Sequence, residues 1–171
     1  MLKLACLCFF VCLLVSGCST GPRTSAQWVA APPSPQTTQI QRNGQAQPPA
    51  QAPPAVRAAV AAANRIANKP YRRGGGHRRV EDSGYDCSGA VSYALGHARL
   101  LHSPMPSHAF TKYGRPGRGR WVTIYSKPGH VFLDIAGRRF DTGWNGSHSG
   151  PRWTARSRPL AGYVARHPPG L

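Results

Sequence analysis

Residues 121–142 read WVTIYSKPGHVFLDIAGRRFDT, and this stretch decides the fold. β-Branched and aromatic residues dominate it, while Lys-Pro-Gly and Ala-Gly divide it into segments of strand length. Strands joined by such short connections run antiparallel. The pattern predicts these three strands and one more near the C-terminus: Trp121 to Tyr125, His130 to Ala136, Arg138 to Thr142 and Ala161 to Arg166.

Two helices are predicted upstream of these strands. The first covers the alanine-rich segment from Ala55 to Asn68 and ends before Pro70, because the residue before a proline avoids helical geometry. The second runs from Ser88 to about Leu101. Helices followed by antiparallel strands indicate an α+β domain.

The N-terminus has the pattern of an export signal. Lys3 precedes an apolar run from Leu4 to Val15, which is too short for a membrane span of about 20 residues. The sequence Val-Ser-Gly-Cys at 15–18 resembles the lipobox of bacterial lipoproteins. We therefore predict a lipoprotein signal peptide at 1–17 and a lipid anchor at Cys18; a plain signal peptide ending near Gly17 is the alternative.

This pattern predicts a protein of the cell envelope, attached to a membrane through Cys18. If the cell has two membranes, Ser19 favours the outer membrane, with the protein facing the periplasm. Residues 18–54 are rich in proline and glutamine, a composition that predicts a disordered linker. The catalytic domain is predicted at 55–171, a length that suits one compact domain.

The chain is strongly basic, with a formal net charge of +17. Such a charge attracts polyanions. Because the arginine pairs are spread along the sequence and the protein is exported, we expect no nucleic acid as a partner. Anionic wall polymers and the carboxylates of peptidoglycan are the expected anions, and a generally solvated arginine surface is the alternative.

Cys87 is the only cysteine outside the first eighteen residues. An exported protein keeps an unpaired cysteine when the thiol is reactive or well buried. Here the thiol would stand at the start of the second helix, where the helix dipole and free N–H groups favour a thiolate. We predict that Cys87 is a nucleophile.

His130 is the candidate base, because it begins an apolar strand whereas the other six histidines lie in loops or near a helix end. Asp134 is about 13 Å farther along the same strand, too far to touch the imidazole. If Ala136-Gly137 forms a two-residue hairpin, Asp141 pairs with Phe132 and shares the face of His130. We predict Asp141 as the third catalytic residue; an unassigned partner is the alternative.

Three short motifs together resemble the NlpC-type peptidases: Tyr71-x-x-Gly-Gly, Asp86-Cys-Ser-Gly and Gly129-His-Val. The resemblance implies a papain-like fold, in which an N-terminal helix bearing the cysteine packs on an antiparallel sheet bearing the histidine. It implies a cysteine endopeptidase that cuts peptidoglycan stem peptides, at the bond between D-glutamate and the diamino acid. By motif position, Tyr71, Asp86 and Ser88 would bind the stem peptide. The chain differs from the family at two positions. Many members have a histidine as the third catalytic residue, where this chain has Asp141. A small residue usually follows His-Val, where this chain has Phe132.

Two other classes of function remain open. One is a non-catalytic peptidoglycan-binding or structural lipoprotein of the envelope, and the other is an amidase or acyltransferase on the same fold. We expect no cofactor and no metal, because one cysteine and no His-x-x-x-His leave no zinc-ligand spacing. An activator protein, the exact bond cut and the oligomeric state are not encoded in these motifs.

Overall fold

A computed structural model describes residues 37–143 and 149–171. The predicted signal peptide, Cys18 and the first half of the predicted linker lie outside the described residues. Within the described ranges, no helix is both long and apolar enough to cross a membrane.

The domain combines helices with antiparallel strands, which confirms the α+β prediction. Two α-helices, α1 and α2, and one 3₁₀-helix precede most of the strands. The helices are α1 (Pro54–Ile66), α2 (Cys87–His97) and the 3₁₀-helix Ser107–Lys112. The strands are β1 (Gln39–Ile40), β2 (Ala46–Gln47), β3 (Arg115–Pro116), β4 (Val122–Lys127), β5 (His130–Ile135), β6 (Arg138–Asp141), β7 (Arg152–Thr154) and β8 (Val164–His167).

Six of the strands form the main sheet, in the order β3-β8-β4-β5-β6-β7, and all its pairs are antiparallel. β5 and β6 are joined by Ala136 and Gly137, both with positive φ (48° and 77°), as a tight two-residue hairpin requires. Leu133 is paired with Phe140, so the next position in register sets Asp141 opposite Phe132. The predicted register is confirmed.

The main sheet has two unlike faces. The core face carries Val131, Leu133, Ile135 and Phe140, which belong to one buried apolar cluster with the helices. Side chains alternate along a strand, so the other face carries His130, Phe132, Asp134, Arg139 and Asp141. We call this second surface the His130 face.

The folded domain begins earlier than predicted. Residues 37–54 were expected to be linker, yet β1 and β2 form a small antiparallel hairpin there. Thr38 is fully buried and joins the main sheet, with its amide bonded to Ala136 O (3.0 Å) and its hydroxyl to Ile135 O (3.1 Å). Ala46 exchanges two 2.8 Å hydrogen bonds with the side chain of Asn64 on α1. Short polar segments of this kind fold because the domain satisfies their backbone groups, which composition does not reveal.

The ends of other elements shift by a few residues. α2 begins at Cys87 and ends at His97, four residues before the predicted end. The segment from Ser103 to Gly119, for which no element was predicted, contains the 3₁₀-helix and β3. β7, a strand of only three residues, was missed because so short a run carries no periodic signal.

Candidate active site

Cys87 is the first residue of α2, where the sequence placed it. Asp86 caps the helix, because its Oδ1 accepts a 2.7 Å hydrogen bond from the amide of Gly89. The thiol is free and partly exposed. The positive end of the helix dipole therefore acts on a sulfur that an outside molecule can reach.

His130 lies between Cys87 and Asp141. Its Nε2 donates a 2.8 Å hydrogen bond to Oδ1 of Asp141, and the side chain of Cys87 is close enough to raise its pKa. Since Nε2 is engaged by the carboxylate, Nδ1 is the ring nitrogen left for the thiol. The structure thus brings the three predicted catalytic residues together, with His130 between the thiol and the carboxylate.

Two arginines approach the same carboxylate. Asp141 is fully buried, and Nη1 of Arg158 donates to its Oδ2 at 2.5 Å. Nε of Arg139 lies 3.5 Å from that oxygen. Nη1 of Arg158 also lies 3.0 Å from Nε2 of His130. Because both nitrogens donate to Asp141, this distance is a contact between two donors that share one carboxylate and not a hydrogen bond. A buried carboxylate needs such partners to stay ionised.

The pKa of His130 is raised from 6.5 to about 9. Burial on its own would lower this pKa, but the hydrogen bonds and charges of Asp141 and Cys87 outweigh it. His130 is therefore protonated at neutral pH. Its imidazolium places a positive charge near the thiol of Cys87, and the thiolate is the nucleophilic form of a cysteine.

The loop before α2 is tied to the helix through Asp86. Besides Gly89, its Oδ1 accepts from the hydroxyl of Ser88 (3.1 Å) and from Nε2 of His77 (3.2 Å), and its Oδ2 accepts from the amide of Gly74 (2.9 Å). His77 Nε2 is also 3.1 Å from Ser88 Oγ. Asp86 and Ser88, predicted to bind substrate, thus share a network whose third side chain, His77, sequence reasoning had set aside.

Close backbone packing explains the glycines of this loop. A Cβ at Gly89 would lie 1.9 Å from Gly75 O, and a Cβ at Gly75 would lie 2.2 Å from Gly84 O. Neither distance can exist, so no side chain fits at these two positions. The glycines let the loop press against the first turn of α2 beside Cys87.

Tyr71 lies beside the nucleophile. Burial, followed by the negative charges of Cys87 and Asp86, raises the pKa of its phenol, and Arg73 opposes this shift. The backbone of Tyr71 is bridged to Tyr85, just before the cap. All three predicted substrate residues, Tyr71, Asp86 and Ser88, therefore gather around the Cys87 end of α2.

Two arginine pairs that are separate in sequence come together in the structure. Arg72, Arg73, Arg78 and Arg79 line one cavity of about 490 Å³ with Gly74 and Asp82. Of the four, Arg72 is paired with Asp82 at 2.7 Å. We call residues 72–79 the Gly–Arg loop. Its charge is concentrated next to Tyr71 rather than spread evenly, which the linear sequence did not indicate.

Within residues 37–143 and 149–171, no three His, Cys, Asp or Glu side chains are grouped so as to hold a metal ion. In comparisons with known proteins, no family model matches the chain, and no curated protein is significantly similar to it. The chemistry of the site must therefore be inferred from its geometry.

Sequence reasoning missed His77, Arg139 and Arg158. His77 directly follows three glycines in the motif that begins at Tyr71, and this position was the available signal. Arg139 lies two residues before Asp141 in the same predicted strand, so the alternation of side chains alone predicts that both lie on the same face. Arg158 comes from an irregular segment seventeen residues after Asp141, so no local pattern points to it.

Proposed function

We propose that this protein is a papain-like cysteine endopeptidase of the NlpC type that cleaves peptidoglycan stem peptides. The observation that supports it most is the position of His130, which is hydrogen-bonded to Asp141 at 2.8 Å and lies next to Cys87, with the sulfur at a helix N-terminus. Nucleophile, base and orienting carboxylate are the three parts that covalent acyl transfer needs.

The proposed reaction has two steps. The Cys87 thiolate attacks the peptide carbonyl carbon, forming a C–S bond, and protonated His130 gives its proton to the leaving amine as the C–N bond breaks. Neutral His130 then takes a proton from water, whose oxygen attacks the thioester and releases the acid and the thiol. Asp141 holds the imidazole in place and stabilises its charged form throughout.

The first turn of α2 can also stabilise the oxyanion. Its amides at Gly89 and Ala90 are bonded to Asp86, through the carboxylate and the carbonyl oxygen respectively. The amides of Cys87 and Ser88 are then the first-turn donors available to substrate. A donor at the nucleophile's own amide is well placed for the developing negative charge.

The surroundings of Cys87 suit an amine at one side and anions at the other. Asp86 and the phenol of Tyr71 offer acceptors that fit the free amine of a stem peptide. The Gly–Arg loop beside them offers cations that fit its carboxylates. A stem peptide carries both groups, which favours it over a neutral lipid or a simple amide as substrate.

We further propose that the protein works at the cell envelope as a lipoprotein, anchored to a membrane by acylated Cys18. The export signal and the lone cysteine of the domain support this location. The predicted anchor also fits a substrate that lies in the wall layer next to a membrane.

The test is digestion of purified peptidoglycan by wild-type protein and by the Cys87→Ala variant, with mass analysis of the released muropeptides. We expect fragments from the wild type and none from the variant, and the fragment masses identify the bond. Circular dichroism of both proteins checks that the variant is folded.

A binding-only role makes the opposite prediction. In that case Cys87→Ala would leave sedimentation with peptidoglycan unchanged, no fragments would appear from either protein, and iodoacetamide would label Cys87 no faster than an ordinary thiol. An amidase would instead release intact stem peptides from the glycan, which the same mass spectra distinguish.

A further inference from the structure

A second pocket lies on the His130 face, away from the Gly–Arg loop. It has a volume of about 270 Å³, room for several water molecules or one small organic ion. Its lining contains four guanidinium groups and one carboxylate, that of Asp134. The four are Arg118, Arg139, Arg156 and Arg158. We call it the sheet pocket.

Arg139 is the least usual member of this lining. It is only 7% exposed, and its buried Nε makes no hydrogen bond within the described part of the chain; the carboxylate of Asp141 lies 3.5 Å from it. Burial lowers the pKa of its guanidinium, and the charge of Asp141 opposes this shift. Since this ion pair is the only ionic contact that the described residues give Arg139, its other N–H groups remain for an anion in the pocket.

Arg158 links the pocket to the active site. One of its nitrogens donates to Asp141, and a guanidinium has five N–H donors, so others remain for a ligand in the pocket. Arg118 and Arg156 are exposed at the rim, and their side chains have no hydrogen-bonding or ionic partner among the described residues. The pocket thus contains both a buried cation and cations free to close over an anion.

The floor of the pocket is apolar. Phe132 is 2% exposed, stacks on Tyr125 at 5.1 Å between ring centroids, and has Arg139 and Arg158 over its ring at 5.9 and 6.0 Å. Leu160 completes the apolar lining. An anion with a small hydrocarbon body would fit both the charges and the floor.

We propose that the sheet pocket is a binding site for a small oxyanion, a carboxylate or phosphate group, held by Arg139 and Arg158 below and by Arg118 and Arg156 at the rim. The bound anion would share Arg158 with Asp141, so the site adjoins the catalytic residues without being the peptide cleft. This inference does not depend on the proposed peptidase activity, since its test measures binding alone.

The experiment follows the Arg139 Nε–Hε signal of the ¹⁵N-labelled full-length protein by NMR, the signal being assigned by its loss in Arg139→Lys. Inorganic phosphate is the first probe, and isobutyrate and formate form a matched pair that differs only in its hydrocarbon body. We expect phosphate to shift this signal in a saturable way. Isobutyrate should bind at least about threefold more tightly than formate, because it buries apolar surface.

Rim variants locate the binding. Arg118→Gln and Arg156→Gln should each weaken phosphate binding about tenfold, the loss of one hydrogen bond to a charged group. Arg42→Gln, which removes an exposed cation outside both arginine-lined pockets, is the matched control and should leave phosphate binding at the sheet pocket unchanged. Phosphate binding without carboxylate binding would assign the ligand to the phosphates, and the reverse to the carboxylates. An unshifted Arg139 signal, or binding unaffected by both rim variants, would overturn the proposal.

Discussion

The two faces of the main sheet are formed by the same strands but bury different kinds of side chain, apolar on one face and charged on the other. On the core face of β5 and β6, Leu133, Ile135 and Phe140 are all within about 1% of complete burial and belong to the apolar core cluster. On the other face, the carboxylate of Asp141 is just as deeply buried, and the side chain of its partner His130 is 17% exposed. Apolar burial stabilises a fold without regard to direction, whereas buried charge needs a partner at each polar atom. Apolar burial on the core face stabilises the fold, and part of this stabilisation offsets the cost of holding charged side chains in place on the His130 face.

The largest contrast should appear between two neighbours on β5. Leu133→Ala removes a fully buried core side chain, and we expect a loss of about 3 kcal/mol in the free energy of unfolding. Phe132→Leu, one residue away on the His130 face, keeps most of the volume and should cost less than about 1.5 kcal/mol. Urea denaturation of both variants measures the difference. Equal losses would mean that the His130 face is a second core.

The next contrast lies within the His130 face. Asp141→Asn removes the charge that holds the imidazolium, and we expect peptidoglycan cleavage to fall about 100-fold while the fold remains. Asp134→Asn is the matched control: it lies on the same face, but its carboxylate accepts from the amide of Gly137 at the hairpin. Initial rates of muropeptide release give the comparison. A similar fall in both variants would remove Asp141 from the catalytic chain.

Much of this arrangement could be read from the sequence. The short Ala136-Gly137 turn fixed the register of β5 against β6, and the register alone placed Asp141 beside His130 and excluded Asp134. Local rules sufficed because hairpin pairing is local. Cys87 at a helix start was also predictable, since Asp86 is a strong capping residue.

What the sequence could not supply depends on contacts between distant segments. Arg158 reaches Asp141 from an irregular segment, and His77 reaches Asp86 across a glycine loop. The folded part of 37–54 has the composition of a linker, and it is ordered by acceptors on β5 and α1 that composition cannot reveal. Predicted features at residues 1–36 lie outside the described structure and stay predictions.

A third prediction concerns pH. The pKa of His130 is about 9 in the folded protein and near 6.5 when unfolded, so the fold binds the proton more tightly. The resulting stabilisation is complete below pH 6.5 and is lost as the pH rises through about 9; its size is on the order of 3 kcal/mol.

Thermal unfolding of the wild type and His130→Gln between pH 6 and pH 9.5 measures this term. The difference in stability between the wild type and His130→Gln should become smaller as the pH rises. His108→Gln, which removes an exposed histidine, serves as the control and should show no such trend. A gap that widens with pH would contradict the assignment of a protonated His130.

The smallest expected effect tests how the N-terminal segment supports the sheet. Thr38→Val deletes the hydroxyl that donates to Ile135 O while keeping the side-chain shape, and we expect a loss of about 1 kcal/mol. Thr111→Val removes an exposed hydroxyl bonded to His108 O and should change stability by less than about 0.5 kcal/mol. The midpoints of urea denaturation of the two variants give the comparison. Equal midpoints would show that the hydrogen bond of the N-terminal segment does not stabilise the domain.

The bond from Thr38 to the sheet also bears on the proposed membrane anchor. If Cys18 is acylated, the chain between the lipid and the folded domain ends at Thr38 and not at residue 55. Even fully extended, that length of chain spans about 70 Å, whereas a tether ending at residue 55 would span about 130 Å. If the protein is also the proposed peptidase, this shorter tether would nearly halve its reach and would confine its cutting to the wall material closest to the membrane.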